Sequence, residues 1–219
     1  MFETLCIHVD GSVGRMTLDR PEKLNSLSRQ ALEEITAAAN WFNTQHSIKV
    51  VIVSGAGRSF SSGADLSTFE TQRDADIRLV ADQGRLMAEA IENMRAINIA
   101  EIRGWCVGGG LVLAASCDLR IAAEDSRFSI PELDLGIPLA WGGIPRLVRE
   151  IGPALTKELV LTCRPFDAHE ARSAGFVNRL ASESELADIV EELAKSIAGK
   201  ASHAIFSTKR HVNAVTEQM

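Results

Sequence analysis

The 219-residue sequence has no tyrosine, which removes every mechanism that would draw a phenol from this chain. Its four cysteines, Cys6, Cys106, Cys117 and Cys163, are too scattered for a zinc or thiol-disulfide motif. The five histidines, His8, His46, His169, His203 and His211, lack ligand spacing too, so neither a metal nor a redox cofactor is implied. No uncharged apolar run reaches the roughly 18 residues of a membrane helix. Positive charge is also short, with 23 Lys and Arg against 29 Asp and Glu and a net charge of -6. There is thus no basic field for a phosphate backbone, and neither nucleic acid nor a membrane is an expected partner. Nothing at the N-terminus resembles a signal peptide, so the thiols are read as reduced and the protein as cytoplasmic.

What is present is the composition of a folded, soluble protein, 46% hydrophobic and 24% charged. The length suits one substantial α/β domain and is short for two. Leu5, Ile7 and Val9 alternate, Asp10-Gly11 offers a turn, and Val13 to Leu18 follows, which reads as an opening hairpin. Ser28 is placed to cap a helix carrying Leu32, Ile35 and either Trp41 or Phe42, and Val50 to Val53 is a short buried strand ending at Ser54-Gly55. The charge-rich stretch near 68 to 78 is the best candidate for a mobile lid. It leads into a helix with Val80, Met87, Ile91 and Met94, and Ile97 to Ile102 and Leu119 to Ala122 are strand-like. Beyond Gly136 the pattern turns helical, over 144 to 151, 155 to 162, 168 to 174 and 183 to 197, the last capped by Ser182 with Glu185 three residues on. The front is therefore expected to be mixed α/β and the back all helix, with neither linker nor repeat between them.

Three segments carry chemistry. Gly55 to Leu66, directly after a strand, has glycines that let main-chain amides turn toward a ligand, although it is neither a dinucleotide fingerprint nor a phosphate loop. An ordinary strand-to-helix loop is the competing reading. Gly108-Gly109-Gly110 opens an apolar helix, where free amides and the helix dipole favour negative charge, and close packing of two elements would equally call for glycine. Glu132 follows Pro131 in a run with apolar neighbours Ile130, Leu133 and Leu135 that would raise its pKa toward a general base's range, where most lone glutamates are solvated surface groups.

Together with Arg20 to Leu27, Cys117 to Ala122, Asp167 to Ala171 and Gly175 to Asn178, these segments resemble, in order and over about residues 3 to 210, the enoyl-CoA hydratase/isomerase (crotonase) superfamily. The resemblance implies an α/β crotonase-like spiral of ββα units over about 1 to 140. A helical, trimer-forming region over 141 to 219 would follow within one domain, shorter at its end than is usual in the family. It also implies an acyl-CoA substrate, a place in fatty acid metabolism, and a homotrimer or a dimer of trimers. Coenzyme A would enter as part of the thioester rather than as a cofactor. The amides of Ala64 and Gly109 would form the oxyanion hole and Glu132 would be the acid-base residue. Lys23, Leu24, Asn25, Ser26 and Leu27, with Ser62, Gly63, Ala64, Asp65, Leu66 and Gly109, would hold CoA and the acyl carbonyl.

Hydratases of this superfamily carry two glutamates, and the first falls here on Val112, three positions after Gly109. Water addition needs a hydroxide equivalent at Cβ and a proton at Cα, whereas moving a double bond from C3 to C2 needs one base. The sequence therefore favours isomerisation. Dienoyl isomerases place an aspartate where this chain has Ala140, and Asp134 is the alternative second acid. A weak hydratase, a carbon-carbon bond-forming enzyme with one glutamate, and a non-catalytic acyl-CoA binding or assembly protein are the rival readings. Glu101 is expected on a solvent-facing strand position, with a subunit contact as the other option.

Overall fold

The computed structural model describes residues 2–67 and 75–216. Its first strands, β1 (Leu5–Asp10) and β2 (Val13–Leu18), pair antiparallel around Gly11, whose φ of 57° is the left-handed value such a turn requires. β3 (Val50–Gly55), β4 (Ile97–Ile102), β6 (Leu119–Ala123) and β9 (Arg179–Ala181) then add in parallel. The result is a six-stranded sheet of order β1-β2-β3-β4-β6-β9. β3 is buried along its whole length, which explains its unbroken Val-Val-Ile-Val run. Val51 and Val53 join a core with Met16, Ile35, Phe42 and Phe60, while Val50 and Ile52 join a second core with Ile99, Ile121, Leu186 and Val190. The period of two along a strand sends alternate side chains to the two faces.

A smaller sheet of order β5-β7-β8 is made by β5 (Trp105–Val107), β7 (Arg127–Ser129) and β8 (Phe166–Asp167). α1 (Arg29–Thr44) starts as expected, with the Ser28 hydroxyl accepting the Ala31 amide at 3.2 Å. It buries Phe42 and leaves Trp41 exposed, which settles that alternative. α2 (Ala75–Glu92) buries Met87 and Ile91. Of the stretch near 68 to 78 read as a lid, 68–74 lie outside the described residues and the remainder opens α2. α3 (Gly109–Ala115) is buried throughout, and α4 (Gly143–Thr162) contains both expected helical stretches, broken at Gly152 (φ 75°, ψ 163°) before Pro153. α5 (Ala168–Ser173), α6 (Leu186–Ala198) and α7 (Ser202–Thr216) complete the chain. None of the described helices is long and apolar enough to cross a membrane.

Three expectations are corrected, and one helix stands where none was expected. The back of the chain is not all helix, because β8 and β9 lie there and pair with β7 and β6. Strands of two and three residues carry no readable alternation, so pairing rather than local pattern decides them. Nor does helix α6 begin beside Ser182. That hydroxyl is spent on the Glu185 carboxylate while the Ser182 carbonyl accepts the amides of Glu185 and Leu186, so a turn precedes the helix. The helix α7 has no counterpart in the sequence reading, its polar residues masking any clear apolar stripe. Lastly, Glu101 is 3% exposed and faces neither solvent nor an open edge, being held by Arg15 and Arg103 at 2.8 Å each. Two guanidinium partners make a carboxylate tolerable on a strand covered from both sides.

Arg120, 2% exposed, is another buried charge that organises the fold. It donates to the Cys117 carbonyl at 2.7 Å and the Ala114 carbonyl at 3.4 Å, at the C-terminal end of α3. It also reaches the Phe176 carbonyl and the Glu150 carboxylate.

Candidate active site

The segment before α1 is fastened to the loop that leaves β3. Asn25, buried and left-handed at φ 55°, donates its amide to the carbonyls of Ala56 and Ser59 at 2.8 Å each and accepts the Arg20 amide at 3.0 Å. Arg20 reaches the Ser26 carbonyl at 2.8 Å and Asp65 at 3.0 Å. Burial acts to raise the Asp65 pKa, but hydrogen bonds from Ser67, Arg20 and Ser26 hold it below the usual carboxylate value. The Ser62 amide donates to Leu24, the Leu27 amide to Gly63, and the Asp65 amide to Leu27. These bonds zip 23–27 onto 62–66, bringing together the two segments that the sequence singled out. Lys23 and Leu66 are exposed at the rim and Asn25 and Leu27 are buried beneath it.

Because Leu27 bonds to the residues on either side of Ala64, the Ala64 amide faces away from that pairing. The preceding loop is stitched to β5, with the Ser61 amide donating to Trp105 and the Val107 amide to Ser61. Ser61 Oγ accepts the Gly63 amide at 3.2 Å and donates to the Asn25 carbonyl at 2.8 Å. Three residues beyond this pairing on one side stands Ala64, and three beyond Cys106 on the other stands Gly109. The approach is tight, since a Cβ on Gly63 would lie 2.8 Å from the Val107 carbonyl oxygen and 3.4 Å from the Gly109 nitrogen. Gly109 opens α3, so its amide has no intrahelical acceptor. Two neighbouring main-chain donors, at Ala64 and Gly109, are therefore free of backbone acceptors among the described residues.

Glu132 enters from a 3-10 turn (Glu132–Leu135) closed by Gly136 at φ 72°. A Cβ on Gly108 would lie 2.5 Å from Glu132 Oε1, so the carboxylate rests against the glycine that precedes the Gly109 amide. Glu132 Oε2 is buried and has no hydrogen-bond partner among the described residues. Burial pushes its pKa up, opposed only by its own backbone amide. Asp134 is exposed and Ala140 is exposed, so neither position supplies a second buried acid. Val112 is 1% exposed and faces the 139–143 loop, where a Cβ on Gly143 would meet Val112 Cγ2 at 2.8 Å and Leu139 Cδ2 at 2.9 Å.

One residue here escaped the sequence reading. Trp141, left-handed at φ 58° and 7% exposed, lays its indole against Gly109 and Gly84. The available signal was Gly84 itself, a costly residue in the middle of a helix, which asks for something to pack against its bare backbone. The chemistry this arrangement permits is proton transfer beside a pair of amide donors, the setting for an oxyanion that forms next to a carbon acid.

Known proteins share the family pattern of this sequence and its fold. The sequence profile described as Enoyl-CoA hydratase/isomerase matches residues 8–219. A probable enoyl-CoA hydratase of Mycobacterium bovis is 35% identical over 221 residues, covering 99% of this chain and 83% of that protein. A peroxisomal Delta(3,5)-Delta(2,4)-dienoyl-CoA isomerase of Arabidopsis thaliana is 36% identical over 215 residues, covering 92% and 77%. The crystal structure of an enoyl-CoA hydratase from Bacillus anthracis superposes with a TM-score of 0.93 at 32% identity, covering 96% of this chain and 83% of that one. Hydratase names predominate among the curated relatives. With the α/β core, the C-terminal helices and the profile all in agreement, the chain belongs to the enoyl-CoA hydratase/isomerase (crotonase) family.

Proposed function

We propose that this chain isomerises 3-enoyl-CoA thioesters to their 2-enoyl forms through an enolate, with Glu132 as the proton-transfer base. The thioester oxygen accepts the amides of Ala64 and Gly109, each such donor contributing about 3 to 4 kcal/mol to the transition state. Glu132 takes a proton from C2, the electrons spread over the dienolate, and the same carboxyl returns the proton at C4. A raised pKa suits both halves of that transfer. Residues 23–27 and 62–66, zipped together, hold the CoA portion, and the working unit is one domain assembled as a homotrimer or a dimer of trimers.

The observation that carries this reading is the pairing of a carboxylate whose buried Oε2 has no hydrogen-bond partner among the described residues with Val112 where a second acid would be needed. The names of the relatives favour a different reading, hydration. Against it, an isopropyl group packed on Leu139 and Gly143 can neither hold nor ionise water, and a missing acid or base costs about 10²- to 10⁴-fold. The test is to supply the purified protein with a 3-enoyl-CoA and with crotonyl-CoA, following the absorbance of the conjugated thioester. Isomerisation should outpace hydration, and Glu132→Gln should lower it by about 10²-fold or more. Unchanged turnover in Glu132→Gln, or faster hydration in the native enzyme, sinks the proposal.

A further inference from the structure

We infer that Trp141 sets the length of the acyl group and restricts the site to short chains. This rests on the acyl-CoA reading above and adds a substrate class to it. Trp141 and Gly142 are both left-handed, at φ 58° and 69°, a pair of values that swings the chain inward and is rare for a bulky residue. The indole they deliver fills the gap between α2 and α3. A Cβ on Gly109 would lie 2.2 Å from Trp141 Cζ3, and a Cβ on Gly84 would lie 2.1 Å from Cε2. Neither helix could carry a side chain there, and a glycine in the middle of α2 is itself destabilising relative to alanine. The ring thus has a purpose-built seat between two bare backbones.

That seat adjoins the amide assigned to the thioester oxygen. Acyl carbons that leave the carbonyl on the α2 side of Gly109 meet the indole within the first few bonds. Leu139 and Val112, packed together on Gly143, close the neighbouring side with apolar surface. A flat aromatic wall offers van der Waals contact to a short chain and no room for a long one.

Binding of saturated butyryl-, hexanoyl- and octanoyl-CoA by titration calorimetry tests this without any double-bond chemistry, with free CoA as the reference ligand. In the native protein, affinity should stop rising beyond the shortest chain. In Trp141→Ala each methylene that finds room should tighten binding about fourfold, so the octanoyl-to-butyryl affinity ratio rises by about tenfold or more. Trp141→Phe should fall between, and it carries the test if the alanine variant does not fold. If acyl-CoAs bind and the ratio is the same in all three proteins, Trp141 does not set chain length, and the isomerase reading is untouched. A native protein that binds CoA and acyl-CoA no better than background overturns both.

Discussion

Replacing Gly63 by alanine would pry the two amide donors apart while leaving every catalytic group chemically intact. Gly63 has φ 89°, and its new Cβ would sit 2.8 Å from the Val107 carbonyl oxygen. That oxygen belongs to backbone fixed by the Val107 to Ser61 bond of 3.0 Å, so no flexible side chain can give way. Reaching an ordinary contact distance requires the Ser62–Ala64 loop and the end of β5 to separate by roughly 0.6 Å or more. The left-handed backbone costs alanine about 1 kcal/mol and the forced shift about 1 to 2 more. Displacement on this scale should lower kcat for a 3-enoyl-CoA by about 10²-fold, since about 1 Å of misplacement or the loss of one donor has that effect. KM should change less, because the 23–27 contacts persist. Gly11→Ala is the control, with φ 57° and nothing within 4 Å of the added carbon. It should lose about 1 kcal/mol in urea unfolding and no activity. A folded Gly63→Ala enzyme with native kcat would refute the assignment of Ala64 and Gly109 as a paired oxyanion site.

Two further expectations concern the acid itself. Burial raises the Glu132 pKa above the ordinary 4.5, so kcat should climb with pH through that raised value and then level off, where an exposed carboxylate would give a flat profile over the same range. The folded state binds this proton more tightly than the unfolded chain, so the associated stability is present below the unfolded pKa and is lost as pH rises through the folded one. Glu132→Gln should therefore unfold at higher urea than the native protein near neutral pH, and the gap should close below about pH 4.5; equal midpoints at neutral pH would argue against a strained carboxylate. Val112→Glu should bring crotonyl-CoA hydration up by about tenfold or more while destabilising the protein by roughly 3 kcal/mol. A folded variant with no gain would show that something other than Val112 limits hydration.

Much of this architecture was legible from residue order. The Asp10-Gly11 turn, the Val50 to Val53 strand and the Ser28 cap all declare themselves through local rules, and the structure has each of them. The Gly108 to Gly110 run also announced a backbone that something approaches closely, and the close-packing reading holds, since Glu132, Trp141 and Ser61 all pack on those glycines. Illegible were features decided by distant partners. β9 exists because β6 offers it an edge, and Glu101 is buried because Arg15, 86 residues away, reaches it. Trp141 was missed for a similar reason: its significance lies in Gly84, 57 positions earlier in the sequence, and no local pattern joins the two. That 23–27 and 62–66 would serve one ligand came from the resemblance alone, and the hydrogen bonds between them are what join them in one surface.

Arg120 gives the glycine helix a property that the amides alone would lack. α3 has seven residues, about 10 Å of helix, and its far end is clamped by a guanidinium that takes the Ala114 and Cys117 carbonyls and is itself tied to Glu150 and the backbone of Phe176. A rod pinned at its tail cannot slide backward when charge collects at its head. The helix is thus braced against α4 and the segment before β9 at the end opposite the proposed oxyanion site. On the proposed function, damage at Arg120 should accordingly lower kcat even though the residue sits at the far end of the helix from Gly109.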